Sequence, residues 1–314
     1  MLRSNELLIM LDTLQAYANA QAWERSLEYP TIKRFLLRFK HFGLRYFLSA
    51  LVHYATVLIP QLGRLRVSGK TFWGKKVFLE LRAAESYQIL FRGASGSEPE
   101  VRLTYFLLRR LASTDVFYDV GANIGYYSML AAELGAYVHA FEPVPSTFRI
   151  LDLNVAQYRN RVVTNCVALS SEDGTASMFL PEDWYITSTL VEQTLQSITK
   201  NTITVPTCKL DTYVNGQNKP APTIMKIDVE GAELLVLKGG SSTIADYHPI
   251  IIMEVCPGQR GLDLSVPAAE FLLKHGYKMY SLSPEGNLLP ISDTPFDYIT
   301  TFKGEFDNLV FQQQ

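Results

Sequence analysis

Apolar positions follow two different spacings along this chain. Over residues 5–60 they recur every three to four positions, in "NELLIMLDTLQAYANA" and more strongly in "TIKRFLLRFKHFGLRYFLSALVHYATVLIP". That is the period of helices with one buried face. From about residue 64 the runs shorten to "RLRVSG", "TFWGKKVFLELR" and "SYQILFRG", which read as strands. "EPEVRLTYFLLRRLAS" restores the helical period. Strand-like and helix-like segments then alternate. "VFYDV", "AYVHAFEP", "TIMKIDVEG" and "PIIIMEVCP" are each followed by a helical stretch, and "YKMYSLS" and "NLVFQQ" come last.

Such alternation predicts an open α/β sheet, mostly parallel and covered on both faces. Sheets of this kind hold ligands beyond the carboxyl ends of their strands, near the point where strand order reverses. A β-rich excursion over about 175–214 interrupts the alternation. The expected organisation is a helical N-terminal extension, residues 1–70, followed by one α/β domain, 71–314, that carries the excursion.

Charge sharpens the division. Residues 1–70 hold 10 Lys/Arg against 4 Asp/Glu, and the remainder 19 against 27. The stretch 31–70 has no acid, and its Lys33, Arg34, Arg38, Lys40 and Arg45 are interleaved with apolar residues. That pattern suits a solvated helix face, a membrane surface or a second copy of the chain. The run Tyr46–Gly63 lacks Lys, Arg, Asp and Glu but is short for a membrane span. The net charge of −2 gives no general attraction to nucleic acid, so none is expected as a partner. Cys166, Cys208 and Cys256 lie in strand-like runs without metal-binding spacing and are expected to be reduced thiols. No basic start, apolar block and cleavage site is visible at the N-terminus, so a cytoplasmic location is expected, with contact at a membrane surface left open.

The segment "VFYDVGANIGYYS" is a strand running into a glycine-spaced turn and a helix start. Its turn, Asp119, Gly121, Asn123 and Gly125, is neither GxGxxG nor a GxxxxGK[ST] phosphate loop. Glu142 stands 23 residues after Asp119, at the end of the next strand, where an acid accepts hydrogen bonds from two ribose hydroxyls. An adenosine-like ligand with a cationic group and no phosphate describes S-adenosyl-L-methionine better than a nicotinamide dinucleotide. In "IMKIDVEGAELLVLKGG", Lys226 and Asp228 share one face of a strand that ends at the rim. Lys226 inside an apolar strand needs a partner, for which Glu254, Asp228 and Glu142 are candidates. Glu230 and Glu233 follow at helical spacing, and Glu233 reads as a first-turn acid that complements the helix dipole.

These segments, with "FEPVPSTFRILDLN", "CVALSSEDGTASM", "TSTL" and "CKLDTYV", resemble the FkbM family of S-adenosylmethionine-dependent methyltransferases. The resemblance covers about residues 98–255, with the terminal "NLVF" also fitting. It implies a Rossmann-like class I methyltransferase fold, a seven-stranded sheet whose last strand is antiparallel. It implies methyl transfer to a hydroxyl of a sugar or secondary metabolite. It also implies that Asp119, Gly121, Asn123 and Gly125 form the cofactor loop, that Glu142 holds the ribose, and that Pro143, Val167 and Ala168 flank the adenine. Asp228 would face the reacting centre.

Transfer to a hydroxyl needs an acceptor held in line with the methyl group and a base to receive its proton. Asp228 is the first candidate, Glu254 the second, and Lys226 belongs to the same set. Glu230 beside Asp228 would allow a divalent cation, but nothing requires one and no metal ligand is assigned. The acceptor, a small molecule or glycan, is expected against "PEDWYITSTL" (Trp184, Tyr185, Ser188) and the loop 284–307. A nicotinamide-dependent oxidoreductase would need the missing GxGxxG. A non-catalytic binding module would be expected to have lost Asp119, Gly121 or Glu142, and all three are present.

Overall fold

The runs "IMKI" and "IIIMEV" offer apolar side chains to both faces, as strands at the centre of a covered parallel sheet do. A computed structural model of the chain places them there. It describes residues 7–15, 65–81, 97–181 and 200–313, with single positions and short runs between 52 and 94. The basic positions Lys33–Arg45 and the segment with Trp184, Tyr185 and Ser188 lie outside the described residues. Two compact units are present, residues 2–105 and 106–314, with the boundary inside the helix Glu98–Arg110. In the first, residues 7–15 are helical, and β1 (Arg66–Lys70) pairs antiparallel with β2 (Lys76–Glu80).

The second unit holds β3 (Val116–Val120), β4 (Tyr137–Phe141), β5 (Val162–Asn165), β6 (Ala168–Leu169), β7 (Gly174–Pro181), β8 (Lys200–Cys208) and β9 (Ile224–Ile227). It continues with β10 (Ile250–Val255), β11 (Lys278–Leu282), β12 (Leu288–Pro290) and β13 (Asp307–Gln312). The main sheet runs β12-β11-β13-β10-β9-β3-β4-β5. Strands β5, β4, β3, β9 and β10 are parallel, and β13 is antiparallel to β10 and β11 on either side of it. This is the strand order of a class I methyltransferase sheet. The expectation of seven strands falls one short. The connection after β11 turns back as a hairpin, adding β12 at the edge.

Strand alternation sends successive side chains to opposite faces. Tyr118, Val120, Met225, Ile227, Ile251 and Met253 meet Val236, Ile244 and Leu272 from the helices that follow β9 and β10. Asp119, Lys226 and Asp228 point the other way, beneath the helix Tyr126–Glu133. A small sheet, β6-β8-β7, stands apart, with Ala168, Met178 and Val205 packed against Val144. The three cysteines are unpaired. Among the described residues no helix is long and apolar enough to cross a membrane.

Candidate active site

Chain order reverses between β3 and β9, since the strands that follow β3 extend to one side and those from β9 onward to the other. The candidate residues collect at the carboxyl ends of these two strands, where ligands of open α/β sheets lie. Register makes Asp119 on β3 and Lys226 on β9 direct neighbours, with Ile252 of β10 beyond.

The turn after β3 is fixed by its backbone. Gly121, Asn123 and Gly125 have φ of 82°, 49° and 85°, the left-handed region that glycine enters freely and asparagine more readily than most residues. A Cβ on Gly121 would lie 1.8 Å from the Asp228 carbonyl oxygen, and one on Gly125 2.5 Å from Leu151 Cδ1. The glycines therefore let the turn close on the protein's own chain. Asn154, buried at the end of the helix Pro145–Asn154, donates from Nδ2 to the Ile124 carbonyl at 2.8 Å. Sequence reasoning missed Asn154. A polar residue ending an amphipathic helix was its only signal.

Glu142 follows β4 and is 6% exposed. Its Oε2 accepts the Asn123 N–H at 3.0 Å and its Oε1 the Val144 N–H at 2.9 Å. One lone pair on each oxygen remains for a further donor. Burial pushes this carboxyl up to about 7, against the pull of the two N–H groups. Asp119 is buried below the turn, accepts from Ser128 Oγ at 2.6 Å and lies in the field of Lys226. Burial raises its affinity for a proton.

Lys226 finds its partner in Asp228. Its Nζ lies 2.7 Å from Asp228 Oδ2 and 5.1 Å from the Tyr127 ring centre, and its side chain is 4% exposed. Tyr127, whose ring faces Lys226, and Ser128, which donates to Asp119, were not singled out from the sequence. Asp228 itself is half-buried, and its N–H donates to the Val120 carbonyl at 3.0 Å, tying the end of β9 to β3. Glu254 stands one residue before the end of β10. Asp228, Glu230 and Glu254 each present a carboxylate oxygen within 4.8 Å of the others. Lys226 holds Asp228, and Arg260 Nη2 reaches Glu230 Oε2 at 2.6 Å. Arg260, just past β10, also escaped sequence reasoning because an Arg in "CPGQRG" carries no motif. Glu233 does more than complement a dipole. It is 3% exposed, and its Oε1 accepts the Gly231 N–H at 3.1 Å and the Val229 N–H at 3.3 Å.

Pro143 and the 166–168 segment come together, since Cys166 Sγ lies 3.8 Å from the Pro143 carbonyl oxygen. Val167 is partly buried against the main core, whereas the Ala168 side chain serves the small core of β6, β7 and β8. His139 is buried against the Tyr213 hydroxyl at 2.7 Å, and burial holds it down at about 4, a structural role. The loop between β11 and β13 starts and ends at the carboxyl edge and carries the helix Pro295–Thr301. The arrangement suits a ligand with two vicinal hydroxyls at Glu142. Beside it lies a second, carboxylate-rich position at Asp228 and Glu254.

Residues 119–279 match the family described as "Methyltransferase FkbM domain". Over 161 residues the chain is 33% identical to the hexuronic acid methyltransferase AglP of Haloferax volcanii, covering 51% of this chain and 63% of that protein. Over 72 residues it is 44% identical to the 31-O-demethyl-FK506 methyltransferase FkbM of Streptomyces tacrolimicus, covering 22% of this chain and 27% of that one. The matched regions thus span less than two thirds of either relative. A methyltransferase FkbM structure from Methylobacillus flagellatus KT is similar at a TM-score of 0.41 and 17% identity, over 72% of this chain and 53% of that one.

Proposed function

The chain belongs to the FkbM methyltransferase family, and on that premise we propose that it methylates an oxygen of a sugar or related hydroxylated metabolite with S-adenosyl-L-methionine as donor. One observation carries the reading. Glu142 is a buried carboxylate beside a glycine turn at the switch point, and each of its oxygens keeps a lone pair after accepting a backbone N–H. Two hydroxyl donors would complete it. A phosphate there would set two anions against each other, which disfavours a nicotinamide dinucleotide phosphate.

The residues present fit the cofactor. Glu142 would hold the ribose, the turn Gly121–Gly125 would pass beneath the amino-acid part, and Pro143 with Val167 would flank the adenine. When bound, S-adenosylmethionine supplies a methyl group on a sulfonium, already activated for displacement. What remains for the protein is to orient an acceptor oxygen about 3 Å from that carbon and to receive its proton. Lys226 fixes Asp228 through Oδ2, which leaves Oδ1 to accept from the acceptor hydroxyl. Glu254 is the second carboxylate in reach of that proton. The acid-rich rim favours the cationic donor over its neutral product, which helps the product leave. The acceptor class rests on the names of the two relatives, a hexuronic acid methyltransferase and a 31-O-demethyl-FK506 methyltransferase.

The test is transfer of a labelled methyl group to a panel of uronic acid glycosides, neutral glycosides and macrolide alcohols. Label in at least one acceptor class, lost in Asp228→Asn, supports the reading. Cofactor binding with no transfer to any class would leave a binding module in its place.

A further inference from the structure

We infer that Glu230 and Arg260 form a brace that positions the Asp228 turn against the cofactor loop, and that neither side chain touches cofactor or acceptor. The inference rests on reading this rim as the methyl-transfer site. It starts from the backbone. The Ala232 N–H donates to the Val229 carbonyl at 3.3 Å, closing a four-residue turn. Its two central residues, Glu230 and Gly231, have φ of 55° and 100°. Turns with positive φ at both centres favour Asn, Asp or Gly at each. Three other non-glycine residues have positive φ among those described. Two are asparagines, Asn123 and Asn218, and the third, His248, closes the helix Ser241–Tyr247. Glu230 alone is a long side chain held against the preference of its turn. A residue kept in such a conformation points to use of its side chain.

That side chain is used by Arg260. The 2.6 Å ion pair is largely shielded, with Glu230 16% and Arg260 35% exposed, so solvent screens it less than a surface pair. It links the connection after β9 to the connection after β10 across the carboxyl edge. From inside, Glu233 holds the same turn through the Val229 and Gly231 N–H groups. The residue immediately before the turn is Asp228, whose carbonyl oxygen occupies the space that a Cβ on Gly121 would need. A shift in the turn is therefore passed directly to the cofactor loop.

The experiment measures S-adenosylhomocysteine affinity by calorimetry and thermal stability on the same full-length preparations. Glu230→Gly removes the carboxylate but suits the backbone, and Glu230→Ala removes it and does not. Both variants, and Arg260→Gln, should lose affinity about tenfold, the scale of one shielded charge-assisted hydrogen bond. Glu230→Gly should melt at or above the temperature of Glu230→Ala. Arg260→Lys, which keeps the charge, should recover most of the affinity. The double variant Glu230→Gly/Arg260→Gln should lose clearly less than the product of the two single losses, since the two side chains share this contact. Unchanged affinity in Glu230→Gly or Arg260→Gln overturns the brace, as does a double variant whose losses multiply. If the unaltered protein fails to bind S-adenosylhomocysteine, the methyltransferase reading falls first. Normal binding with indifferent variants sinks the brace alone.

Discussion

Replacing Glu233 by Gln should stabilise the ligand-free protein at alkaline pH and leave it nearly unchanged at acid pH. The N–H groups of Val229 and Gly231 both go to one oxygen of Glu233, Oε1. A Gln side chain keeps that oxygen, removes the charge and puts an amide nitrogen in place of the other oxygen. Burial, reinforced by the nearby Asp228 carboxylate, lifts this carboxyl from 4.5 to about 7. Because the folded value lies above the unfolded one, the folded state holds a proton that the unfolded state has released between roughly pH 4.5 and 7. The stability tied to Glu233 is therefore fully present below the unfolded value and lost as pH rises through the folded one. A shift of this size corresponds to ~3 kcal/mol at pH 8 and under ~1 kcal/mol at pH 5. Urea unfolding of both proteins at pH 5, 6, 7 and 8 gives the comparison, read from the midpoint at constant m. Glu233→Gln should gain about 2–3 kcal/mol over the unaltered protein at pH 8 and little at pH 5. A Glu233→Gln protein that is less stable at pH 8 by as much as at pH 5 would refute the reasoning. Glu233 would then be a stably ionised, well-compensated carboxylate.

Three further outcomes follow from the site. Gly121→Ala meets the Asp228 carbonyl at 1.8 Å, whereas Gly74→Ala has the same sign and nearly the same φ with open space around it. The first should lose at least ~2 kcal/mol more than the second in thermal or urea unfolding, and equal losses would show that the close approach does not matter. Glu142→Ala should weaken S-adenosylhomocysteine binding by about 2–4 kcal/mol, the loss of charge-assisted bonds to two hydroxyls, and an unchanged dissociation constant would remove Glu142 from the ribose. Asp228→Asn should leave that affinity within a few-fold and cut methyl transfer by about a hundredfold or more, as removal of a positioned base does. A fully active Asp228→Asn protein would shift the role to Glu254.

The strand and helix alternation was legible because period and punctuation agree: "VFYDV" ends at a glycine turn, and "IIIMEV" is too apolar for any place but the sheet centre. The positions of Glu142 and Asp228 at strand ends were legible because each acid closes an apolar strand-like run. The eighth strand was not, since Leu288–Pro290 is a three-residue edge piece below any periodic signal. Arg260 and Asn154 were missed for a different reason. Each acts through a contact between segments distant in sequence, Glu230 to Arg260 and Ile124 to Asn154, which only the tertiary arrangement creates. Lys226 shows the intermediate case: its need for a partner was plain, but that Asp228 Oδ2 lies 2.7 Å from its Nζ is visible only in the folded strand end.

On the proposed function, the Glu142 site takes a phosphate-free adenosine cofactor bearing a sulfonium. Calorimetric titration of one full-length preparation with S-adenosylmethionine, S-adenosylhomocysteine and NADH tests it directly. Saturable binding of one equivalent of each adenosyl compound, lost in Glu142→Ala, with no heat from NADH, is the result predicted here. Saturable NADH binding with neither adenosyl compound bound would contradict it.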